Sequence, residues 1–299
     1  MSSWDGKTRG GLTGYRIFIF ILKTFGLRPA YFLLNFVAFY FFLFSRKPNR
    51  HIFFFYRRVL GYGNCRARLS VYRNYRLLGQ VLIDKVAVMS GLGKHFTYNW
   101  DGEEHLLGME EGGLLVSAHI GSWEIAGNFL HRTGKRFNIL MYDEEHQKIK
   151  SYLDEVMHEK NLHVIPIRDD LTHVLAIRKA LAGQELIALH ADRYIKGSKT
   201  ITCRFMGREA RFPEGPFYLA LKFGAPVSFV FAVKESRRHY HFYATPPSIY
   251  RASSKHSIPE QELLPAVEDY VSRLEKLLGQ YPLQWFNYHR FWDDEAEEG

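Results

Sequence analysis

The sequence predicts an α/β fold, a mixed sheet flanked by helices, preceded by an N-terminal apolar helical segment. Three observations predict it. Beyond residue 113, short apolar runs alternate with amphipathic stretches, the pattern of a sheet covered by helices. Pro29–Phe44 is an uncharged run rich in Phe, Leu, Tyr and Val. Within residues 69–100, apolar positions recur at helical spacing without a proline to break them.

At the N-terminus, Tyr15–Leu22 is apolar apart from Arg16, Lys23 and Arg28 interrupt, and the sixteen residues Pro29–Phe44 follow. As a helix, such a run rises about 24 Å, short of a ~30 Å hydrocarbon core. Two apolar legs meeting near Gly26 to Pro29 therefore predict a monotopic or shallow hairpin membrane anchor, ahead of a single tilted span or a buried helix pair. The lack of a small-residue cleavage site after the run argues against a cleaved signal peptide.

Lys and Arg number 40 against 31 Asp and Glu, a net charge of +9, and the excess is concentrated. Arg46, Lys47, Arg50, Arg57, Arg58, Arg66, Arg68, Arg73 and Arg76 stand with no acid among them. Such a block seeks anions, and its place after an apolar run marks a cytoplasmic juxtamembrane segment at a membrane surface. No nucleic-acid recognition motif accompanies the charge, so nucleic acid is excluded as a partner. Cys65 and Cys203 match no zinc or redox spacing and read as free, buried thiols in a reducing compartment.

Leu77, Leu78, Val81, Leu82, Val86 and Met89 predict a helix over 69–100. The chain thus divides into an anchor (1–50), a basic helical connector (51–112), an α/β domain (113–292) and a solvated acidic tail (293–299). Strands are predicted over Leu114–Ala118, Phe137–Met141, His163–Ile167, Glu185–His190, Thr200–Phe205, Val227–Val233 and His239–Ala244. Helices are predicted over 122–133, 144–161, 170–182, 215–223 and 260–279.

The first of those strands delivers His119 to its carboxyl end, and Gly121-Ser122 then turns the chain into a helix with Glu124 in its first turn. Facing a carboxylate across that junction, the imidazole keeps one tautomer and becomes a better base. Ser122 reads as a helix cap rather than a nucleophile. Other strand ends finish in similar chemistry: Arg168 before Asp169 and Asp170, and His190, Asp192 and Arg193 before a Gly/Ser loop. Gly215 opens a helix whose free amides suit an anion or a carbonyl. Functional groups of an open sheet gather beyond its strands' carboxyl ends, so these segments predict one site.

The stretch His119-Ile-Gly-Ser-Trp123-Glu124 resembles the HX4(D/E) motif of the lysophospholipid and lipid A late acyltransferases, including its Gly and Trp. The order that follows resembles the lauroyl/myristoyl branch of lipid A biosynthesis: Arg168 before Asp-Asp-Leu, Asp192 at a strand end, Phe-Met-Gly at 205–207, GAPV at 224–227 and YPLQWFNYHRFW at 281–292. FPEGP at 212–216 is similar to the FPEG block of glycerolipid acyltransferases, and Arg193 departs from the branch, which has Gln there. The resemblance covers most of the chain.

It implies a glycerolipid acyltransferase-like αβα sandwich and an O-acyltransferase on the cytoplasmic side of the bacterial inner membrane. The donor would be acyl carrier protein, favoured over acyl-coenzyme A, and the acceptor a lipid or glycolipid such as a lipid A precursor. His119 and Glu124 would be the catalytic pair, with Arg168, Asp192, Arg193, Gly215, Ser122 and Trp123 binding substrate and no metal or other cofactor required. Asp192 is expected to position Arg168 or Arg193, and the arginines to meet phosphate. Amides near Gly121 or Gly215, or Arg168, are the candidates for stabilising the oxyanion. Three alternatives stay open: a metal-dependent hydrolase ligated by His119, Glu124, His190 and Asp192, an acyl thioesterase, and a non-catalytic lipid-binding protein.

Overall fold

The computed structural model describes residues 20, 24–89, 91–122, 125, 134–142, 162–168, 170, 172–254 and 257–292. Its strands are β1 (Thr97–Asp101), β2 (Gly113–Ser117), β3 (Phe137–Tyr142), β4 (Leu162–Ile167), β5 (Leu186–His190), β6 (Thr200–Phe205), β7 (Arg208–Pro213), β8 (Val227–Lys234) and β9 (His239–Ala244). Seven of them make one sheet in the order β1-β9-β8-β2-β5-β3-β4. β8, β2, β5, β3 and β4 run parallel; β9 is antiparallel to β8, and β1 runs parallel to β9. The sheet is therefore mixed, as the sequence predicts. Every residue of β2 is buried, which explains why its sequence is a continuous apolar run rather than an alternation: both faces of a central parallel strand are covered.

The helices are α1 (Leu27–Phe44), α2 (Arg46–Phe54), α3 (Asn64–Met89), α4 (Glu103–Leu107), α5 (Thr172–Ala182), α6 (Gly215–Phe223) and α7 (Glu260–Gln280). Pro216 in the first turn of α6 and left-handed Gly224 just past its end mark that helix's limits. The helices expected over 122–133 and 144–161 lie almost wholly outside the described residues, as do most of Tyr15–Leu22 and the tail 293–299.

Two stretches depart from the sequence reading. The helix expected through residue 100 ends at Met89; Gly91 takes a left-handed φ of 84°, and Thr97–Asp101 joins the sheet as β1. β6 and β7 form a separate antiparallel hairpin turning at Met206 and Gly207, both with positive φ. Cys65 is exposed rather than buried, because it opens α3 at the surface, while Cys203 is half-buried; both are free.

α1 is the one described helix long and apolar enough, by length and composition, to cross a membrane. One stripe of it, Leu27, Ala30, Tyr31, Leu34 and Ala38, is buried, and α1 packs along α3, where a Cβ on Gly79 would lie 2.2 Å from Leu34 Cδ1. The opposite face leaves Phe32, Phe36, Phe39, Tyr40, Leu43 and Phe44 exposed. Tyr31 also reaches a buried polar cluster in which Asp84 of α3 accepts from Lys234 of β8 and from the hydroxyls of Tyr31 and Tyr240. Buried charges persist only when paired and hydrogen-bonded, so this cluster fixes α1 and α3 against the end of β8.

Candidate active site

Register brings the two central groups together. β2 and β5 are parallel neighbours with Ser117 opposite His190, so His119 and Asp192, each two residues further on, emerge side by side. The Ala191 amide donates to Ser117 O at 2.9 Å and prolongs the ladder to the junction. There, His119 Nδ1 lies 2.7 Å from Asp192 Oδ1, and the His119 backbone N–H donates to Oδ2 at 2.9 Å. A carboxylate can only accept, so Nδ1 carries the proton and Nε2 is left as the basic nitrogen. Nε2 makes no hydrogen bond to another described residue, and the His119 side chain is 24% exposed while that of Asp192 is wholly covered.

A third donor locks the carboxylate: Trp285 Nε1 reaches Asp192 Oδ2 at 3.2 Å. Trp285 belongs to a strap, residues 284–286, laid across the loop after β2. The Gly121 amide donates to Gln284 O, the Phe286 amide donates to His119 O, and Ile120 bridges Trp285. α3 holds the strap from behind, since Asn74 Nδ2 donates to the carbonyls of Leu283 and Trp285, both at 3.0 Å. Arg193 holds it from the front by donating to Phe286 O at 2.5 Å. Further along, the Trp292 ring stacks between Phe55 and Phe205 and ties the strap's end to the hairpin and the N-terminal helices.

Electrostatics follow from this enclosure. Burial would raise the Asp192 pKa, but His119 beside it and hydrogen-bonded to it, with Arg193 and His190 nearby, holds the carboxyl well below the usual range. It is an anion throughout physiological pH. His190, whose ring centroid lies 4.3 Å from that of His119, is pushed well below 6.5 by burial and then by His119. His289 is pushed down to about 3 by burial and then by Arg193. Both are neutral neighbours of the pair.

Of the residues singled out in the sequence, His119, His190, Asp192 and Arg193 are brought together. Asp192 does not position an arginine first; its hydrogen-bond partners are His119 and Trp285, because the strand register sets it beside His119. Arg193 spends a guanidinium donor on the strap. Glu124 and Trp123 lie outside the described residues. Ser122 is fully buried, and its Oγ has no hydrogen-bond partner among the described residues, so it makes no described cap. Its amide donates to Ala232 O, and with the Gly121 amide on Gln284, neither is free to meet an oxyanion. Gly215 opens α6 and has no described hydrogen bond to the pair. Arg168 follows β4, three strands from β2, so about 14 Å of sheet separates its strand end from that of His119.

Gly121 is required where it stands: its φ is 63°, and a Cβ there would sit 1.7 Å from Ala232 O. The parts that sequence reasoning left without a role are Asn74, Gln284 and Trp285. For Gln284 and Trp285 the signals are the aromatic density of 281–292 and its resemblance to the acyltransferase branch, which mark a packed segment and not its partner; Asn74 carries no such signal.

His119, His190 and Asp192 each offer a ligand atom within 4.8 Å of the others. The Asp192 oxygens, however, already accept three N–H groups, the donor set of an anchored hydrogen-bond acceptor. What the arrangement does best is hold an imidazole with its base nitrogen outward.

No curated protein matches this chain. Among solved structures it is similar to the 1-acyl-sn-glycerophosphate (LPA) acyltransferase PlsC from Thermotoga maritima, at 15% identity over 82% of this chain and 97% of that one, with a TM-score of 0.35. The family of bacterial lipid A biosynthesis acyltransferases matches residues 13–294, nearly the whole chain. The chain belongs to that family and is an acyltransferase of lipid substrates.

Proposed function

We propose that the enzyme moves a fatty acyl group from an acyl thioester to a hydroxyl of a lipid A precursor or related glycolipid, with His119 as general base. The observation that carries this reading is the pairing of His119 Nδ1 with Asp192 Oδ1 at 2.7 Å, which leaves Nε2 outward. Nε2 takes the proton of the acceptor hydroxyl as its oxygen attacks the thioester carbonyl carbon. The tetrahedral adduct collapses, the C–S bond breaks, and the departing thiolate recovers the proton from the imidazolium. The ionised Asp192 stabilises that imidazolium. The sequence assigns the orienting of His119 to Glu124, which lies outside the described residues; the 2.7 Å contact supports Asp192 as the group on Nδ1.

Arg168, several strands away, suits phosphate on the acceptor or the donor's carrier arm better than the reacting carbonyl. Acyl carrier protein is favoured as donor over coenzyme A because Arg46, Lys47, Arg50, Arg58, Arg66, Arg68, Arg73 and Arg76 are all exposed, a concentration of positive charge that suits an acidic protein. The exposed aromatic face of α1, whose other face is committed to α3, supports a monotopic seat on the cytoplasmic leaflet of the inner membrane. No metal is required by this chemistry.

The test incubates purified enzyme with radiolabelled acyl-carrier protein or acyl-coenzyme A and total lipid extract, wild type beside His119→Ala, with and without chelator. Label should enter one lipid class with the wild type only, chelator or not. Release of free fatty acid would make the protein a thioesterase, and loss of turnover with chelator would make His119, His190 and Asp192 a metal site.

A further inference from the structure

A cavity of about 320 Å³ opens between α1 and α3 at the turn joining β8 to β9, lined by Arg28, Arg76, Arg237, Asn35, Gln80 and the ring of Phe32. Three arginines from three separate elements line it, and among the described residues no Asp or Glu does. All three arginines are exposed, and only Arg76 belongs to the basic block. Asp84, which accepts from the Tyr31 hydroxyl, is buried and already paired with Lys234. Like charges drawn together without an acid repel one another, so the arrangement is completed by a bound anion. Forked guanidinium donors match phosphate oxygens in particular.

The surroundings say where that anion comes from. Phe32, 66% exposed, lines the cavity, and Phe36, 61% exposed, lies one turn along the same face of α1. Charged donors at the foot of an exposed aromatic face are the arrangement of a group working at the headgroup level of a bilayer. β8 runs parallel to β2, so Arg237 after β8 and His119 after β2 stand at the same end of the sheet. We propose that this cavity binds the phosphate headgroup of an anionic membrane lipid that is not the acyl acceptor, and that the bound lipid turns the active-site end of the sheet toward the bilayer. The site is independent of the reaction proposed above, and each can fail without the other.

The test is cosedimentation of the full chain with vesicles of phosphatidylcholine alone or doped with phosphatidylglycerol. Arg28→Gln and Arg237→Gln are compared with Arg73→Gln, an exposed arginine of α3 outside the cavity. Arg237 holds the buried cluster through its backbone carbonyl, which accepts from Lys234 and Tyr31, so its side chain can be changed without breaking that cluster; unchanged melting temperatures verify this. Doped vesicles should bind the wild type far better than neutral ones. Each cavity variant should weaken that binding more than tenfold, whereas Arg73→Gln should cost no more than the about fivefold of one lost surface charge. Inorganic phosphate should compete better than chloride at equal ionic strength. Equal losses in all three variants, or equal competition by chloride, would reduce the cavity to general surface charge and overturn the proposal. Thermal stabilisation by inorganic phosphate without any preference for doped vesicles would make it a soluble-anion site and overturn the lipid assignment.

Discussion

Asp192 holds His119 twice, through the ring Nδ1 at 2.7 Å and through the backbone N–H at 2.9 Å. One carboxylate thereby fixes both the tautomer of the imidazole and the position of the loop that carries it. The two residues lie 73 positions apart and meet because their strands are parallel neighbours in register.

That loop's path depends on Gly121. Gly121→Ala must place a methyl group against Ala232 O and hold a left-handed φ, and should destabilise the fold by more than about 3 kcal/mol. Gly207→Ala is the comparison: its φ is 81°, but a Cβ there meets nothing within 4 Å, so only about 1–2 kcal/mol should be lost. Urea unfolding of both variants checks the difference. Equal losses would show that the close approach to β8 contributes nothing.

The Asp84–Lys234 pair makes a second stability prediction. Lys234→Met leaves a buried carboxylate with only tyrosine donors and should cost about 3–5 kcal/mol, whereas Asp84→Leu combined with Lys234→Met should recover most of it. Unfolding midpoints of the single and double variants decide. A double variant as unstable as the single one would mean that the cluster's polarity, rather than its charge balance, holds α1 and α3.

Stability should fall in mild acid. The folded-state pKa values of His190 and His289 are depressed, that of His289 to about 3, so above about pH 6.5 they are neutral in both states and cost nothing. As pH falls below that, the unfolded chain takes up protons that the fold refuses, and stability drops by up to about 1.4 kcal/mol per pH unit for each histidine until the folded pKa is reached. The depressed Asp192 contributes stability that is present above its unfolded value and is lost only below about pH 4. Denaturant midpoints between about pH 7 and pH 5 should therefore fall with a slope that His289→Gln makes shallower. An unchanged slope would place His289 in contact with solvent.

Much of the sheet was legible because buried parallel strands are written as apolar runs: GLLVS, LIALH and VSFVFAVK each announce themselves. β1 was not, since TYNWD is an edge strand whose residues alternate between exposed and half-buried, and the hairpin strand REARFP carries charges on its open face. His119 could be found from its place at a strand end, but its partner could not. A nearby carboxylate such as Glu124 is visible in sequence, whereas Asp192 becomes a neighbour only through strand order and register. The strap was hidden for the same reason: Trp285 reads as one more core aromatic until its indole N–H is seen on Asp192.

The most direct test is the acyl-transfer kinetics of Asp192→Asn. An amide that donates toward Nδ1 would drive the proton to Nε2 and remove the base, so kcat/KM should fall by about 10³–10⁴. KM should change little, and the variant should stay folded at a lower melting temperature, since it gives up the stability of the buried anion. A loss of less than tenfold in a folded variant would contradict the assignment of His119 as a base held by Asp192.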